Sequence, residues 1–100
     1  MPTFILHTNL TSKSFVNEEN LHLEIRQVIA SNIGKSEDFV LTIFNPNTSM
    51  QFGEKAGNSA YCEIKNVGTL SPEITNLITN SVTEILSQKL KISSDQLYIE

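Results

Sequence analysis

The residue with the most unusual chemistry is the proline that follows the initiator methionine. Removal of Met1 is favoured when the second residue is small, and Pro2 meets that condition. The chain would then begin with a secondary amine whose φ angle the ring fixes. A free α-amine has a pKa of about 7.7 to 8.0, which burial or a neighbouring cation lowers further. Pro2 is therefore a candidate base for proton abstraction from carbon. Its commoner alternative role, in the many chains that begin Met-Pro, is only to block degradation or to begin a strand.

The other reactive side chains form no catalytic or metal-binding pattern. His7 and His22 have no partners at metal-ligand spacing, which predicts a strand residue and a helix-surface residue. Cys62 is the single cysteine and is expected to be an inert small hydrophobe on the apolar side of a strand. The sequence has neither a Gly-x-Ser-x-Gly motif nor a phosphate-binding glycine loop. We expect no metal and no cofactor.

Composition bounds the class of protein. The chain has 100 residues, 39% of them apolar and 18% charged, which is typical of one small globular domain. A net charge of -4 gives no electrostatic footprint for nucleic acid, and no run of 18 apolar residues predicts a membrane span. The N-terminus lacks the basic and apolar regions of a signal peptide, and the lone cysteine suits a reducing compartment. We expect a cytoplasmic protein, with any release following a non-classical route.

Hydrophobic periodicity predicts an alternation of strands and helices. The predicted strands cover residues 3–8, 39–44, 59–67 and 96–100, and residues 50–53 form a short strand or a sheet edge. In the third strand, Ala60, Cys62 and Ile64 face one side, while Tyr61, Glu63 and Lys65 face the other. Apolar residues at helical spacing predict one helix over the segment from 18 to 33 and another after residue 71.

Both predicted helices carry end signals. Asn17 is the N-cap of the first helix, acidic residues fill its first turn, and Gly34 ends it in a left-handed conformation. Ser71 is the N-cap of the second, with Pro72 at its first position and Lys89 near its end. The predicted order is therefore β-α-β, a connector, and β-α-β.

The two halves also match in sequence. Asp38 and Asp95 lie 57 positions apart, and the same offset relates Ser36 to Ser93. It also relates Asn9 to Asn66 and Leu10 to Val67. This weak repeat predicts an α+β fold of two β-α-β units, a split ferredoxin-like sheet with both helices on one face. The other face would be bare and would carry Phe, Tyr or Cys side chains, which implies association, for example as a cyclic trimer.

Six short motifs fall in order along essentially all 100 residues. They are Met1-Pro2-x-Phe4-Ile5, Thr8-Asn9, Gly34-Lys35, Met50-x-Phe52-Gly53, Asn66-Val67-Gly68 and Ile92-Ser93-x-Asp95-x-Leu97-Tyr98-Ile99. In this ordered set the sequence resembles the macrophage migration inhibitory factor family of the tautomerase superfamily. The resemblance implies a homotrimer of β-α-β-β-α-β subunits, in agreement with the architecture predicted from the repeat.

The resemblance also implies an activity and its residues. The reaction would be keto–enol tautomerisation of a small aromatic α-keto acid such as phenylpyruvate, or of a dopachrome-like compound. Pro2 matches the catalytic proline, and Lys35 matches the lysine that binds the substrate carboxylate and helps to keep that proline neutral. Asn66 and Val67 match the segment that lines the pocket, and Tyr98 matches a pocket tyrosine donated by the neighbouring subunit. Their alternative roles are a solvated cation for Lys35 and ordinary strand packing for Val67 and Tyr98.

Three departures from the family bear on this expectation. Family members continue for a further strand after the Tyr-Ile pair, whereas this sequence stops at Glu100, so we expect a single domain over residues 1–100 that lacks that strand. The pocket would then be less closed and the trimer less stable. Glu100 stands where mammalian members carry asparagine, and its carboxylate would repel an anionic substrate and raise the pKa of Pro2. The family's Cys-x-x-Cys becomes Ser59-Ala60-Tyr61-Cys62, so thiol–disulfide chemistry is not expected.

Two alternatives stand beside the enzyme. One is a cytokine-like interaction protein of the same fold with little or no catalysis, whose partner would be a protein receptor. The other is a truncated family member that associates differently.

Overall fold

The central element of the fold is strand β1 (Thr3–Thr8), which lies inside a four-stranded mixed sheet. The computed structural model describes residues 1–100. After β1 come α1 (Glu18–Ile33), β2 (Leu41–Asn45), β3 (Ala60–Lys65), α2 (Pro72–Leu90) and β4 (Leu97–Ile99). The strand order is β2-β1-β3-β4; β1 is parallel to β2, β3 is parallel to β4, and the middle pair is antiparallel. The predicted β-α-β-β-α-β architecture is confirmed.

Alternation along β1 separates the two faces of the sheet. Phe4, Leu6 and Thr8 are fully buried on one face, whereas Ile5 and His7 on the other are only partly covered. Both helices pack on the Phe4 face, because each presents an apolar stripe at helical spacing. The helix residues buried in this core are Leu21, Ile25, Ile29 and Ala30 of α1 and Ile78, Val82, Leu86 and Leu90 of α2.

The predicted helix ends are confirmed. The side chain of Asn17 accepts a hydrogen bond from the backbone N–H of Asn20 at 3.1 Å, and Ser71 accepts one from Ile74 at 3.2 Å. Each bond satisfies a helix N–H that has no partner within the helix. Gly34 follows α1 with φ of 76°. The helices therefore begin and end where their local sequence dictates.

The sequence repeat has a direct structural counterpart. The bounds of β1 shifted by 57 positions are those of β3. Gly34 and Lys91, also 57 positions apart, both have left-handed backbones after their helices, with φ of 76° and 57°. Ser36 and Ser93 then precede equivalent 3-10 turns (Glu37–Phe39 and Ser94–Gln96). Because β1 and β3 are antiparallel, the two units run in opposite directions across the sheet.

Some predicted strand bounds were wrong. Phe39 lies in a 3-10 turn capped by Ser36, so the second strand begins later than the apolar run 39–44 suggested. Gln96 similarly lies in a 3-10 turn, and the third strand is shorter at both ends than 59–67. Residues 50–53 form no strand; an isolated bridge joins Phe52 to Lys55. At Phe39, Lys55 and Gln96 a local turn bonds the backbone N–H that a longer strand would have left to the ladder.

The open face of the sheet is the one without helices. The expectation that it carries phenylalanine and cysteine was wrong, because Phe4, Phe44 and Cys62 pack in or against the helix-side core. The strand register instead places the following residues on the open face: Thr3, Ile5, His7, Leu41, Ile43, Asn45, Tyr61, Glu63, Lys65 and Tyr98. The exposed fractions of Leu41 and Tyr98 are 55% and 59%. Three of these ten side chains are aliphatic and five are titratable, so the face is mixed in character.

The equivalent positions Gly34 and Lys91 predict opposite stability effects. Lys91→Gly should stabilise the protein by about 1 kcal/mol, because glycine removes the left-handed penalty of a residue with a Cβ. Gly34→Ala should destabilise it by a similar amount for the converse reason. Urea denaturation of each variant measures the difference in unfolding free energy. Lys91→Ala is the matched control, since it removes the charge and keeps the strain; if it matches Lys91→Gly, backbone strain is not the cause.

Candidate functional site

Pro2 lies at the start of β1 and is fully buried. Its carbonyl accepts a hydrogen bond from the backbone N–H of Leu41 at 3.1 Å, which ties it to the first residue of β2. The register of β1 with β2 and β3 places Val40 and Asn66 beside it. The candidate base is thus held in the middle of one end of the sheet.

Asn66 and Val67 lie at the same end as Pro2. Thr3 pairs with Lys65 across the antiparallel ladder, so the residue before Thr3 and the residue after Lys65 lie opposite each other. The side-chain oxygen of Asn66 is buried and has no hydrogen-bond partner. A buried acceptor without a donor is costly and uncommon, and the other buried side-chain oxygens without a partner belong to Glu24 and Ser59. Val67 is 80% exposed, so it is free to line a site and is not packed in the core.

Lys35 and Phe39 belong to the segment that connects α1 to this end of β2. The backbone N–H of Lys35 bonds the carbonyl of Ala30, and its exposed side chain makes no ion pair. The 3-10 turn that follows presents Phe39, whose ring is 58% exposed. We did not predict Phe39 as a site residue, because it was assigned to a strand. The sequence did contain a signal for this residue. Phe39 is an aromatic residue between the Gly34-Lys35 pair, where the helix ends, and the following strand.

Tyr98 lies at the opposite end of the same subunit. It pairs with Tyr61, which pairs with His7, five residues along β1 from Pro2. At the rise of a strand this is a separation of about 16 Å. One subunit therefore brings together Pro2, Lys35, Phe39, Asn66 and Val67 at one end of the sheet, and it does not bring Tyr98 to them.

Tyr98 lines a groove of about 730 Å³ on the open face. The groove runs between the strands and the loop that joins β2 to β3, and it is predominantly apolar. Its lining residues are His7, Thr48, Met50, Gln51, Phe52, Gly53, Ser59, Ala60, Tyr61 and Tyr98. A volume of this size is in the range of sites that bind small molecules.

The loop that forms one wall of the groove is fixed by side-chain hydrogen bonds at its far end. The amide of Asn9 donates to the carbonyl of Gly57 at 3.0 Å, and Gln96 donates to the carbonyl of Ala56 at 2.8 Å. Lys55 donates to the backbone carbonyl of Asp95 at 2.9 Å. The hydrogen bonds from Ser93 and Lys55 lower the pKa of the Asp95 carboxyl, so this anchor stays ionised.

The open face beside the groove carries two hydrogen-bonded carboxylates. The hydroxyl of Tyr61 donates to Glu100 Oε1 at 2.8 Å, and this bond is the main reason that the pKa of Tyr61 rises to about 12. Glu63 Oε2 lies 3.0 Å from His7 Nε2, and the hydrogen bond from His7 lowers the pKa of Glu63. Lys65, 3.6 Å from Glu63 Oε1, acts in the same direction.

The remaining reactive groups are engaged in packing. Cys62 is buried, and burial raises the pKa of its thiol to about 12, so it is the inert residue that the sequence predicted. His22 is not simply a helix-surface residue: its ring stacks on Phe44 with centroids 3.8 Å apart, and Nδ1 lies 2.5 Å from Thr42 Oγ1. Burial lowers the pKa of His22. Its amphipathic ring joins α1 to β2.

The structure offers no metal site and no membrane span. No group of three or more His, Cys, Asp or Glu side chains is placed to hold a metal ion. Neither helix combines the length and the apolar character that crossing a membrane requires.

Similarity to known proteins identifies the family. The family model described as Macrophage migration inhibitory factor (MIF) matches residues 1–100. The chain belongs to this family. A relative named macrophage migration inhibitory factor homolog from Brugia malayi is 29% identical over all 100 residues, which span 85% of that protein. The macrophage migration inhibitory factor of Rattus norvegicus is 27% identical over 99% of this chain and 84% of its own. Membership of this family supports, in general terms, a tautomerase-type or cytokine-like function.

Solved structures of the family share this fold. The macrophage migration inhibitory factor homologue from Prochlorococcus marinus superposes with a TM-score of 0.90 at 23% identity, over 98% of this chain and 84% of its own. The factor from Trichinella spiralis gives a TM-score of 0.88 at 18% identity, over 98% and 85% of the two chains. The fold is therefore retained where most side chains differ.

The Tyr61–Glu100 hydrogen bond predicts an unusual titration. In a Tyr98→Phe background, where Tyr61 is the single tyrosine, the midpoint of tyrosinate absorbance should lie near pH 12, because the carboxylate accepts a hydrogen bond that stabilises the protonated phenol. Adding Glu100→Gln should move that midpoint toward the ordinary value of 10.0. Ultraviolet absorbance measures the midpoint, with circular dichroism to follow the fold. An identical midpoint in both variants would show that the hydrogen bond has no influence on Tyr61.

Proposed function

We propose that the protein is a cofactor-free keto–enol tautomerase of the phenylpyruvate or dopachrome type. Pro2, freed by removal of Met1, is the base that takes a proton from the carbon next to the substrate carbonyl and returns it at the other end of the enol. The observation that carries this proposal is the position of Pro2, fixed at the end of the central strand beside a buried oxygen of Asn66 that has no partner.

The N-terminal amine and Asn66 suit each other chemically. While Met1 is attached, the nitrogen of Pro2 is an amide that has neither a proton to donate nor basicity. A free Pro2 has a secondary amine that donates when protonated and accepts a proton when neutral. The unpartnered oxygen of Asn66 is an acceptor across the ladder from this position, so it can orient the amine toward the site.

Lys35 and two apolar residues, Phe39 and Val67, would bind different parts of the substrate. The exposed side chain of Lys35, in the segment that leads from α1 to β2, supplies a point charge for a carboxylate. Phe39 and Val67 offer exposed apolar surface for the rest of the ligand. A cation near Pro2 also disfavours the protonated amine, which keeps the base neutral near physiological pH.

We infer that the assembly is a homotrimer in which Tyr98 completes the site of a neighbouring subunit. Tyr98 lies about 16 Å along the strands from its own Pro2, so it cannot contact the same substrate ring. A head-to-tail contact that places one subunit's groove beside the next subunit's Pro2 closes into a ring with one site per interface. The open face, on which Leu41 and Tyr98 are exposed, gives the surface for this contact.

The burial of Pro2 favours a second candidate function. With Met1 present, no solvent reaches Pro2. If Met1 is retained, the protein has no base at this site, and the fold serves as a cytokine-like interaction module whose partner is a protein receptor. The enzyme requires a free Pro2 amine, whereas the interaction module does not.

Pro2→Gly should reduce phenylpyruvate enolisation by at least about 100-fold, the usual contribution of a positioned acid–base group. The loss is expected because an N-terminal glycine keeps an amine but loses the fixed ring that aims it. Enol absorbance measures turnover, and mass spectrometry of the same sample establishes whether the chain begins at Pro2. Pro72→Ala, at the exposed first position of α2, is the matched control and should keep full activity. A chain shown to begin at Pro2 that has no activity contradicts the enzyme and supports the interaction module.

Mixing inactive variants tests whether Tyr98 acts across subunits. Pro2→Gly and Tyr98→Ala chains, refolded together in equal amounts, should recover about one quarter of the wild-type sites in a head-to-tail ring. Each restored site combines Pro2 of one chain with Tyr98 of the next. Turnover of the mixture is compared with that of each variant refolded alone, and light scattering checks that the mixture is trimeric. If Tyr98 acted within its own subunit, mixing would restore nothing.

A further inference from the structure

An asparagine side chain closes one end of the ladder between β1 and β3. Thr8 pairs with Ala60 across this antiparallel ladder, so Asn9 lies opposite Ser59. The side-chain oxygen of Asn9 accepts a hydrogen bond from the backbone N–H of Ser59 at 2.9 Å. The amide nitrogen of Asn9 donates to the carbonyl of Gly57 at 3.0 Å. At this end of the ladder, the asparagine therefore binds the backbone nitrogen of the residue opposite it.

The repeat places a second asparagine at the other end of the same ladder. Asn66 is the counterpart of Asn9, and Ser59 is the counterpart of Pro2, because the members of each pair are 57 positions apart. The register places Asn66 opposite Pro2, just as it places Asn9 opposite Ser59. By this symmetry, the side-chain oxygen of Asn66 should accept a hydrogen bond from the backbone nitrogen of Pro2.

While Met1 is attached, Pro2 has no hydrogen to donate, because the nitrogen of a proline within a chain carries none. The side-chain oxygen of Asn66 is accordingly buried without a hydrogen-bond partner. The other two such oxygens differ from it: Glu24 Oε2 lies 3.8 Å from the ammonium of Lys89, and the hydroxyl of Ser59 has no counterpart on Pro2. Of the three, only Asn66 has a counterpart in the repeat whose equivalent oxygen is hydrogen-bonded.

We propose that Asn66 is the acceptor for the free N-terminal amine, and that removal of Met1 stabilises the fold through this hydrogen bond. The Met1–Pro2 peptide bond is hydrolysed, so water supplies the carboxyl group of the released methionine and the hydrogen on the proline nitrogen. Met1 is 74% exposed and thus accessible to an aminopeptidase. The new secondary amine has one N–H when neutral and two when protonated, and in both states one N–H donates to Asn66.

This hydrogen bond has two consequences for the N-terminus. The buried oxygen of Asn66 gains the donor that it lacked, which removes the cost of an unsatisfied acceptor. In the neutral amine, the single N–H is directed at Asn66, so the lone pair points away from it. Asn66 is thus a positioning residue for Pro2. The inference shares the removal of Met1 with the proposed function, but it does not require turnover.

A thermodynamic cycle of Met1 removal and Asn66 substitution tests this inference. Cleavage of a carrier fusion directly before Met1 gives the longer chain, methionine aminopeptidase converts it to the chain that begins at Pro2, and mass spectrometry verifies both. Unfolding in urea is measured at one protein concentration, because association would add to stability. Removal of Met1 should lower the unfolding equilibrium constant at least about tenfold more in the wild-type sequence than in Asn66→Ala, the size of a hydrogen bond from a charged donor.

The sign of the Asn66→Ala effect should also depend on Met1. In the chain that retains Met1, the substitution deletes an acceptor that has no donor, so it should not destabilise the protein. In the chain that begins at Pro2, it deletes a hydrogen bond and should destabilise it. If Asn66→Ala is equally destabilising in both chains, the role of Asn66 is independent of the N-terminal amine and the inference is overturned.

Two further variants separate this hydrogen bond from a general effect. Asn9→Ala is the matched control, because it deletes the equivalent bond to a peptide N–H and should change stability equally with and without Met1. Coupling of Met1 removal to Asn9 as strong as its coupling to Asn66 would overturn the inference. Asn66→Asp keeps an acceptor in place and adds a charge, so removal of Met1 should stabilise this variant more than the wild type. Equal stabilisation would contradict the inference, even if Asn66→Ala did not fold.

Turnover distinguishes failure of this inference from failure of the proposed function. A coupled cycle in a protein that does not enolise phenylpyruvate upholds the role of Asn66 and contradicts the enzyme alone. Turnover by a protein whose cycle shows no coupling upholds the enzyme and overturns the inference.

Discussion

The structure depends on the burial of one strand. β1 is hydrogen-bonded on both edges, and Phe4, Leu6 and Thr8 on its helix face are inaccessible to solvent. Each large apolar side chain buried in this way contributes about 1.5–3 kcal/mol. The buried hydroxyl of Thr8 is satisfied because it donates to the carbonyl of Ser59 at 2.7 Å and accepts from the N–H of Leu10. The rigidity of this strand is what holds a residue as close to the chain end as Pro2 in a single position.

The same constraint separates the residues of the candidate site. Parallel pairing of β1 with β2 brings the segment that contains Lys35 and Phe39 to the end where Pro2 lies. Antiparallel pairing with β3, and then parallel pairing with β4, places Tyr98 level with His7 and Glu100 level with Ile5. One subunit therefore has Pro2 at one end of the sheet and Tyr98 toward the other. The topology of the sheet sets the distance between them, and single side chains have little influence on it.

Much of the fold could be predicted from local signals, because those signals determine local structure. Asn17, Gly34 and Ser71 ended or began helices as expected, since capping involves only neighbouring residues. The assignment of Phe39 to a strand was wrong, because an apolar run does not reveal that Ser36 caps a tight turn. The roles of Pro2 and Asn66 were implied by the family resemblance, but the absence of a hydrogen-bond partner for the Asn66 oxygen was not. Likewise, the pairing of Tyr61 with Glu100 depends on a register that only the assembled sheet defines.

The 57-residue repeat relates two positions that are structurally equivalent but differ in chemistry. The position in the second half that corresponds to Pro2 is Ser59, which is also buried at the start of an equivalent strand. There the backbone N–H donates to Asn9 at 2.9 Å, and the nitrogen belongs to an ordinary peptide bond. Peptide nitrogen is not basic at any position inside a chain, so under the proposed function Pro2 differs from Ser59 only once removal of Met1 leaves its amine free. A repeated fold can therefore hold two structurally equivalent positions and still provide one reactive nitrogen, because that reactivity comes from the end of the polypeptide.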